Sequence, residues 1–350
     1  MPCETPYLSI VAVSRNDDHG GKLLGRMQIF IDCLSEQVNR FQVPVELVLV
    51  EWNPPLDRPA LDKALVWPKT TQYFTVRIIT VPPEEHKKFQ YSDKLSLFQM
   101  IGKNVGIRRA KGQFILATNI DIILSNELIQ FIAKRQLELE KFYRVNRIDV
   151  DSNVPVGASL EEKLEFCRTH VIRINSKYFL SNISNFKAVF IDVVKKPSLL
   201  GYYLKNLFYK LKIPRLHYNA CGDFTLMAKD DWLRLCGYPE LEMYSLNIDS
   251  LFLMAASYSG LREEILHAPL EIYHIEHKIG SGVTPGLGQE ILLQRLERDG
   301  IPCLTWRDCV NLVQRLKNNG GHERRMVLCN ERPWGLESTH LPEKVLGACE

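Results

Sequence analysis

The chain has 350 residues, and 44 Lys and Arg stand against 41 Asp and Glu for a formal charge of +3. That near-balance excludes the strongly basic domain or stripe that a nucleic-acid partner requires. With 45% hydrophobic and 24% charged residues, the composition is that of a folded soluble chain rather than a disordered one.

No apolar run reaches the roughly 18 residues that span a bilayer. The N-terminus, Met1-Pro2-Cys3-Glu4-Thr5, lacks a basic n-region and a long apolar stretch, so no secretory signal is expected. Nine cysteines are scattered without a Cys-x-x-Cys pair, which fits reduced thiols in a cytoplasmic protein better than a disulfide framework or a zinc site.

Along the chain, Leu8–Val13 reads as a strand buried on both faces, stopping at Ser14-Arg15-Asn16-Asp17. An amphipathic helix follows, with Leu24, Met27, Ile31 and Leu34 on one face. Strands are predicted at Val45–Val50, ending at Glu51-Trp52-Asn53-Pro54, and at Thr75–Val81. A helix is predicted over about 94–109, then a strand at Phe114–Thr118 that ends in Asn119-Ile120-Asp121. This alternation predicts an α/β fold with a mostly parallel central sheet flanked by helices. Such sheets bind ligands beyond the carboxyl ends of their strands, which singles out Glu51 and Asp121.

The middle of the chain shows strand-like Phe142–Val150, a short helix at Leu160–Cys167 and a Lys-, Tyr- and Leu-rich stretch at Lys195–Lys212. Cys221-Gly222-Asp223-Phe224 precedes a helix opened by Lys229-Asp230-Asp231-Trp232. A further helix spans about 250–259, and β-like Leu270–Tyr273 leads into His274-Ile275-Glu276-His277. Past the glycine-rich 280–288 the composition shifts to two helical patterns, about 288–298 and 306–317. A boundary is therefore placed near residue 280, with 281–350 a helical C-terminal extension.

Several of these pieces, in this order, resemble one family. Lys103-Asn104-Val105-Gly106 followed by the strand Phe114–Thr118 and Asn119-Ile120-Asp121 resembles the Arg-Asn-x-Gly helix, buried strand and Asp-x-Asp motif of GT-A fold, family-2-like glycosyltransferases. Val13-Ser14-Arg15-Asn16 resembles the family's uracil-contacting turn, and Glu51-Trp52-Asn53-Pro54 the segment whose acid contacts base or ribose. Cys221-Gly222-Asp223 through Gly237-Tyr238-Pro239-Glu240 resembles the acceptor-side segment. Asn247-Ile248-Asp249 stands where the family has a Glu-Asp pair, and Tyr273–His277 where many members carry a metal-binding histidine. The resemblance covers roughly residues 7–280.

It implies a GT-A (Rossmann-like) domain over 1–280, with a nucleotide-binding half over about 1–125 and an acceptor half over about 126–280. It implies a metal-dependent, inverting transferase that takes a sugar from a nucleoside-diphosphate donor, UDP-linked by preference, to a glycan or lipid-linked acceptor. The donor side would comprise Val13, Ser14, Arg15, Glu51, Lys103, Asn104, Asn119 and Asp121. Gly222, Asp223 and Asn247 would face substrate. Asp121 and His277 would hold Mn²⁺ or Mg²⁺, offsetting the diphosphate charge as the glycosidic bond breaks. Asp249 would be the catalytic base, with a helix N-cap as its bland alternative. Two positions depart from the family pattern: Asn119 and Asn247 replace acids.

His274 and His277 are three apart: on a strand they would point to opposite faces, and on a helical turn they could converge. Only His277 is then expected to reach a metal, with His274 structural. Lys103 is read either as approaching phosphate or as a solvated helix charge. Lys195–Lys212 is read either as a peripheral membrane contact admitting a lipid-linked acceptor or as an apolar face with snorkelling lysines. The stretch 280–288 is read as a lid or a linker. Two alternatives to a transferase are a sugar nucleotidyltransferase, because Arg15–Lys22 partly imitates that glycine-rich loop, and a catalytically silent sugar-nucleotide or glycan binder.

Overall fold

A computed structural model describes residues 5–175, 177–178, 213–277, 288–318 and 330–347. The segment 195–212 and most of 280–288 lie outside the described residues.

The protein is α/β, with a mixed, mostly parallel central sheet flanked by helices. The sheet is built on four parallel strands in the order β3-β2-β1-β4. These are β1 (Leu8–Ser14), β2 (Val45–Trp52), β3 (Phe74–Val81) and β4 (Phe114–Thr118). Beyond β4 the order continues through β9 (Phe224–Ala228), β6 (Lys141–Val150), β10 (Arg262–Ile275) and β5 (Ile122–Leu124). Of these pairings β6–β10 is parallel and the others antiparallel. A short pair, β7 (Val171–Ile174) and β8 (Lys177–Tyr178), hangs from β6.

The parallel strands are continuously apolar because both faces are covered. Ile10, Ala12, Leu47 and Leu49 pack against helix α1 (Leu23–Arg40) through Met27, Phe30, Ile31 and Leu34. Val11, Val13, Val48 and Val50 face the other way, onto α4 (Gln99–Arg109). Between them lie the one-turn helices α2 (Leu61–Ala64) and α3 (Pro83–His86). Two glycines let α4 approach the sheet closely. A Cβ at Gly102 would lie 2.6 Å from Val13, and one at Gly106 would lie 2.5 Å from Val11. This accounts for the glycine in the Lys103-Asn104-Val105-Gly106 motif by packing alone.

Helices α5 (Asn126–Ala133) and α6 (Leu160–Thr169) are capped by Ser125 and by a Ser159/Glu162 capping box. Later come α7 (Lys229–Arg234), α8 (Ile248–Tyr258), α9 (Gly288–Arg298) and α10 (Trp306–Asn318). The C-terminal segment holds more than the helices expected of it. It adds an edge strand, β11 (Glu343–Leu346), antiparallel to β3, and buries Trp334. Periodicity did not reveal this strand, because Glu343-Lys344-Val345-Leu346 is short and largely exposed. Among the described residues no helix is long and apolar enough to cross a membrane.

Candidate metal centre and acidic cleft

Strand register brings the site together. After β4, Asn119-Ile120-Asp121 turns the chain directly into β5, whose Ile122 pairs with His274 of β10. The Asp121 carbonyl accepts from the Ile275 amide at 3.0 Å. On its other side, β10 places His274 opposite Asp149 of β6. His277 lies two residues past the end of β10.

Three ligand atoms converge there. Asp121 Oδ2 is 3.3 Å from His277 Nε2 and 3.9 Å from His274 Nε2. All three atoms lie within 4.8 Å of one another. Ligands on a shared ion, each about 2.0–2.2 Å from it, sit at comparable mutual distances, so this cluster can hold a metal ion. Asp149, fully buried, lies within hydrogen-bond distance of His274 Nδ1 at 2.8 Å, which leaves Nε2 on the side facing Asp121. Asp149 is itself fixed by Arg173 at 2.8 Å and Arg147 at 3.1 Å.

Burial alone would raise the Asp121 carboxyl. The hydrogen bond from His277 and the nearby His274 and Arg26 charges overcome that and hold it well below the usual carboxylate range. Arg26 Nε stands 3.6 Å from Asp121 Oδ2, and the same guanidinium ties the 19–21 turn through the carbonyls of His19 and Gly21. The expectation that only His277 reaches this point is corrected. His274 reaches Asp121 from the strand, and His277 reaches it from the loop beyond, where strand alternation no longer applies.

No protein-family model and no curated protein matches the chain.

A second acidic group adjoins the first. Asp223, in the turn before β9, accepts from Arg147 at 2.6 Å and from the Asn119 amide. Arg147 thus links Asp223 to Asp149, and through Asp149 to His274. Beneath this turn, Lys103 is fully buried and donates to the Gly222 carbonyl at 2.5 Å. It is therefore not a solvated helix charge. Burial lowers its ammonium to about 8, against the opposing pull of Asp223 and Asp249. Asp249 lies so close that a Cβ on Gly222 would meet its Oδ2 at 2.9 Å.

The helix cap expected of Asp249 belongs to Asn247, whose φ of 60° ends the preceding loop. Asp249 occupies the first turn, accepts the Ser250 amide at 2.8 Å, and is raised above its ordinary value by burial.

Other predicted site residues have local employment. Asn104 gives its amide to the Tyr238 carbonyl and Glu240, and accepts the Tyr238 amide, so it clamps the Gly237–Glu240 turn. Asn247 donates to the Leu304 carbonyl at 2.8 Å. Glu51, 2% exposed and raised by burial, accepts the Leu61 amide at 2.7 Å. Val13 is core, and the Ser14 hydroxyl rests on the Met27 sulfur. Arg15 pairs with Asp17 at 3.6 Å.

Arg26, Arg147 and Asp149 were missed. Asp149 and Arg147 had a signal: opposite charges at alternate positions on one face of a strand that the sheet largely buries. Arg26 had none, since one Arg in an amphipathic helix is ordinary.

Proposed function

We propose that the protein is a metal-dependent glycosyltransferase acting on a nucleoside-diphosphate sugar, UDP-linked by preference, with a glycan or lipid-linked hydroxyl as acceptor. The observation that carries this reading is the convergence of Asp121, His274 and His277 at the carboxyl end of β4, with Asp223 and Asp249 set beyond them. The order of these elements is that of the GT-A resemblance.

The metal-ligating group suits Mn²⁺ or Mg²⁺ chemistry, in which a bound divalent ion offsets charge on the departing diphosphate. The protein's own cations add to that. Arg26 at Asp121 and Arg147 at Asp223 and Asp149 keep the site from being purely acidic. Asp223, held by Arg147 and Asn119, is placed for sugar hydroxyls.

Asp249 takes the proton of the acceptor hydroxyl as its oxygen bonds to the anomeric carbon. The bond from that carbon to the diphosphate oxygen breaks at the same time, with inversion. A carboxylate raised by burial is a better base than an exposed one. Asn119 in place of the family's acid is compatible with donor binding, because an amide still hydrogen-bonds a hydroxyl.

The test is a panel of nucleotide sugars incubated with the protein and Mn²⁺, scored for release of nucleoside diphosphate. One donor is expected to be turned over well above the rest. Release from none of them, with or without candidate acceptors, would remove the transferase reading.

A further inference from the structure

His86 is a buried titratable side chain that the proposed chemistry does not use. Pro82 and Pro83 close β3 and open the single turn α3, which carries His86 inward to 3% exposure beside the end of β2. Both ring nitrogens are engaged. Trp52 Nε1 lies 2.9 Å from His86 Nδ1, and the Ser92 carbonyl oxygen lies 3.1 Å from His86 Nε2. An indole nitrogen only donates and a carbonyl only accepts. These partners fix the ring as one neutral tautomer, with its proton on Nε2 and with Nδ1 as acceptor.

A second proton has no place in this arrangement. On Nδ1 it would face the Trp52 N–H, donor against donor, with both residues buried. Burial also disfavours the imidazolium, and Arg15, in the turn after β1, adds a charge of the same sign. The acids nearby are committed elsewhere. Glu85, on the same turn, holds Lys88 at 2.7 Å, and Glu51, next to Trp52, accepts the Leu61 amide. Glu84, Lys87, Asp93 and Lys94 are exposed. From α4, Lys103 reaches the other way, to the Gly222 carbonyl.

Trp52 carries the contact outward. Its ring meets Phe89 and Phe98, and a Cβ on Gly102 would come within 3.3 Å of it. Phe98 caps α4, and its carbonyl accepts the Gly102 amide at 2.8 Å. One hydrogen bond between neutral rings thus fastens the 83–98 segment to β2 and to the start of α4.

We infer that His86 is an acid-operated latch: neutral, it fastens the 83–98 segment to the end of β2 through Trp52, and protonated, it lets go of Trp52 and the segment opens.

The test uses the full chain and hydrogen exchange read by NMR from about pH 7.5 to about pH 5, corrected for the intrinsic pH dependence of exchange. Once freed, His86 takes up a proton near the ordinary value of about 6.5, whereas the fastened ring is held below it. Protection present above about pH 6.5 is therefore lost as pH falls below it. Opening is read at the Trp52 indole proton and at the Phe89 and Leu95 amides. Relative to β1, it should rise about tenfold per pH unit below about 6.5.

His86→Gln supplies an amide that accepts and donates without titrating, and the acid dependence is expected to vanish in it. Should that variant fail to fold, Trp52→Phe removes the opposing N–H. His86 then titrates closer to its ordinary value, and the acid-driven opening at Phe89 and Leu95 flattens. An opening that does not change with pH in the wild type would overturn the inference. So would an equal rise in β1, or the wild-type acid dependence in whichever variant folds. None of these readings involves nucleotide or metal, so the latch is tested independently of sugar transfer.

Discussion

Gly222 and Asp249 are packed against each other: a Cβ on Gly222 would stand 2.9 Å from Asp249 Oδ2. Gly222 does not use left-handed backbone, so alanine there brings a collision without backbone strain. Gly222→Ala is therefore predicted to push the Asp249 carboxylate aside. Turnover should fall by about a hundredfold, the scale of a 1 Å misplacement, with little change in melting temperature. Full turnover in this variant would separate Asp249 from the chemistry.

Asp249→Asn removes the proton acceptor while keeping the shape. The prediction is a kcat lower by about 10²–10⁴-fold, with nucleotide affinity unchanged. The pH profile is a second check. Asp249 must be ionised to act, and burial raises it. The acid limb of kcat/KM in the wild type should therefore lie above the ordinary Asp value of about 3.9.

Lys103 is a buried cation lowered to about 8. Below that pH it is charged in both folded and unfolded chains, and the burial penalty is felt in full. Between about 8 and the unfolded value near 10.4, the folded protein has shed the proton while the unfolded chain keeps it, so the penalty fades as pH rises. Urea unfolding of wild type and Lys103→Met should show the wild type gaining on the variant between pH 7 and pH 10, on the order of 3 kcal/mol in total. A stability difference that stays flat across this window would contradict the burial seen for Lys103.

Arg77 ties β11 to the sheet. Its guanidinium donates to Glu343 at 2.8 and 3.1 Å and to buried Glu46 at 2.7 Å. The hydrogen bond from Arg77 lowers the Glu343 carboxyl. A depressed carboxylate stabilises fully above its unfolded value of about 4.3, and that support is lost as pH falls through the folded value. Amide exchange in β11 should accelerate below about pH 4.3 relative to β2, and Glu343→Gln should remove this extra acid sensitivity. Equal acid dependence in the two strands would mean that the pair does not hold β11.

The parallel half of the fold was legible because its strands are continuous apolar runs between helical patterns. Val45-Glu46-Leu47-Val48-Leu49-Val50 reads as a strand whatever packs on it. The strand ends were legible too, and Asp121 was found there. The partnership of His274 was not. It depends on β10 lying between β5 and β6, and no local pattern in 262–277 states that register. Asn104 shows the opposite case. Its place in a motif suggested a ligand contact, whereas the fold uses it to fasten the Gly237–Glu240 turn. Motif membership cannot tell a residue that touches substrate from one that holds the wall behind it.

The central claim is that Asp121 anchors a metal-dependent site for a nucleoside diphosphate. The most direct measurement is the thermal unfolding midpoint with UDP and Mn²⁺ together, for the wild type and Asp121→Ala. A ligand at roughly a hundred times its Kd stabilises the native state by about 2.7 kcal/mol, so the wild-type midpoint should rise clearly. It should not rise with UDP plus chelator, nor in Asp121→Ala. A wild-type midpoint that stays fixed with every nucleoside diphosphate tried, metal present, would contradict the account.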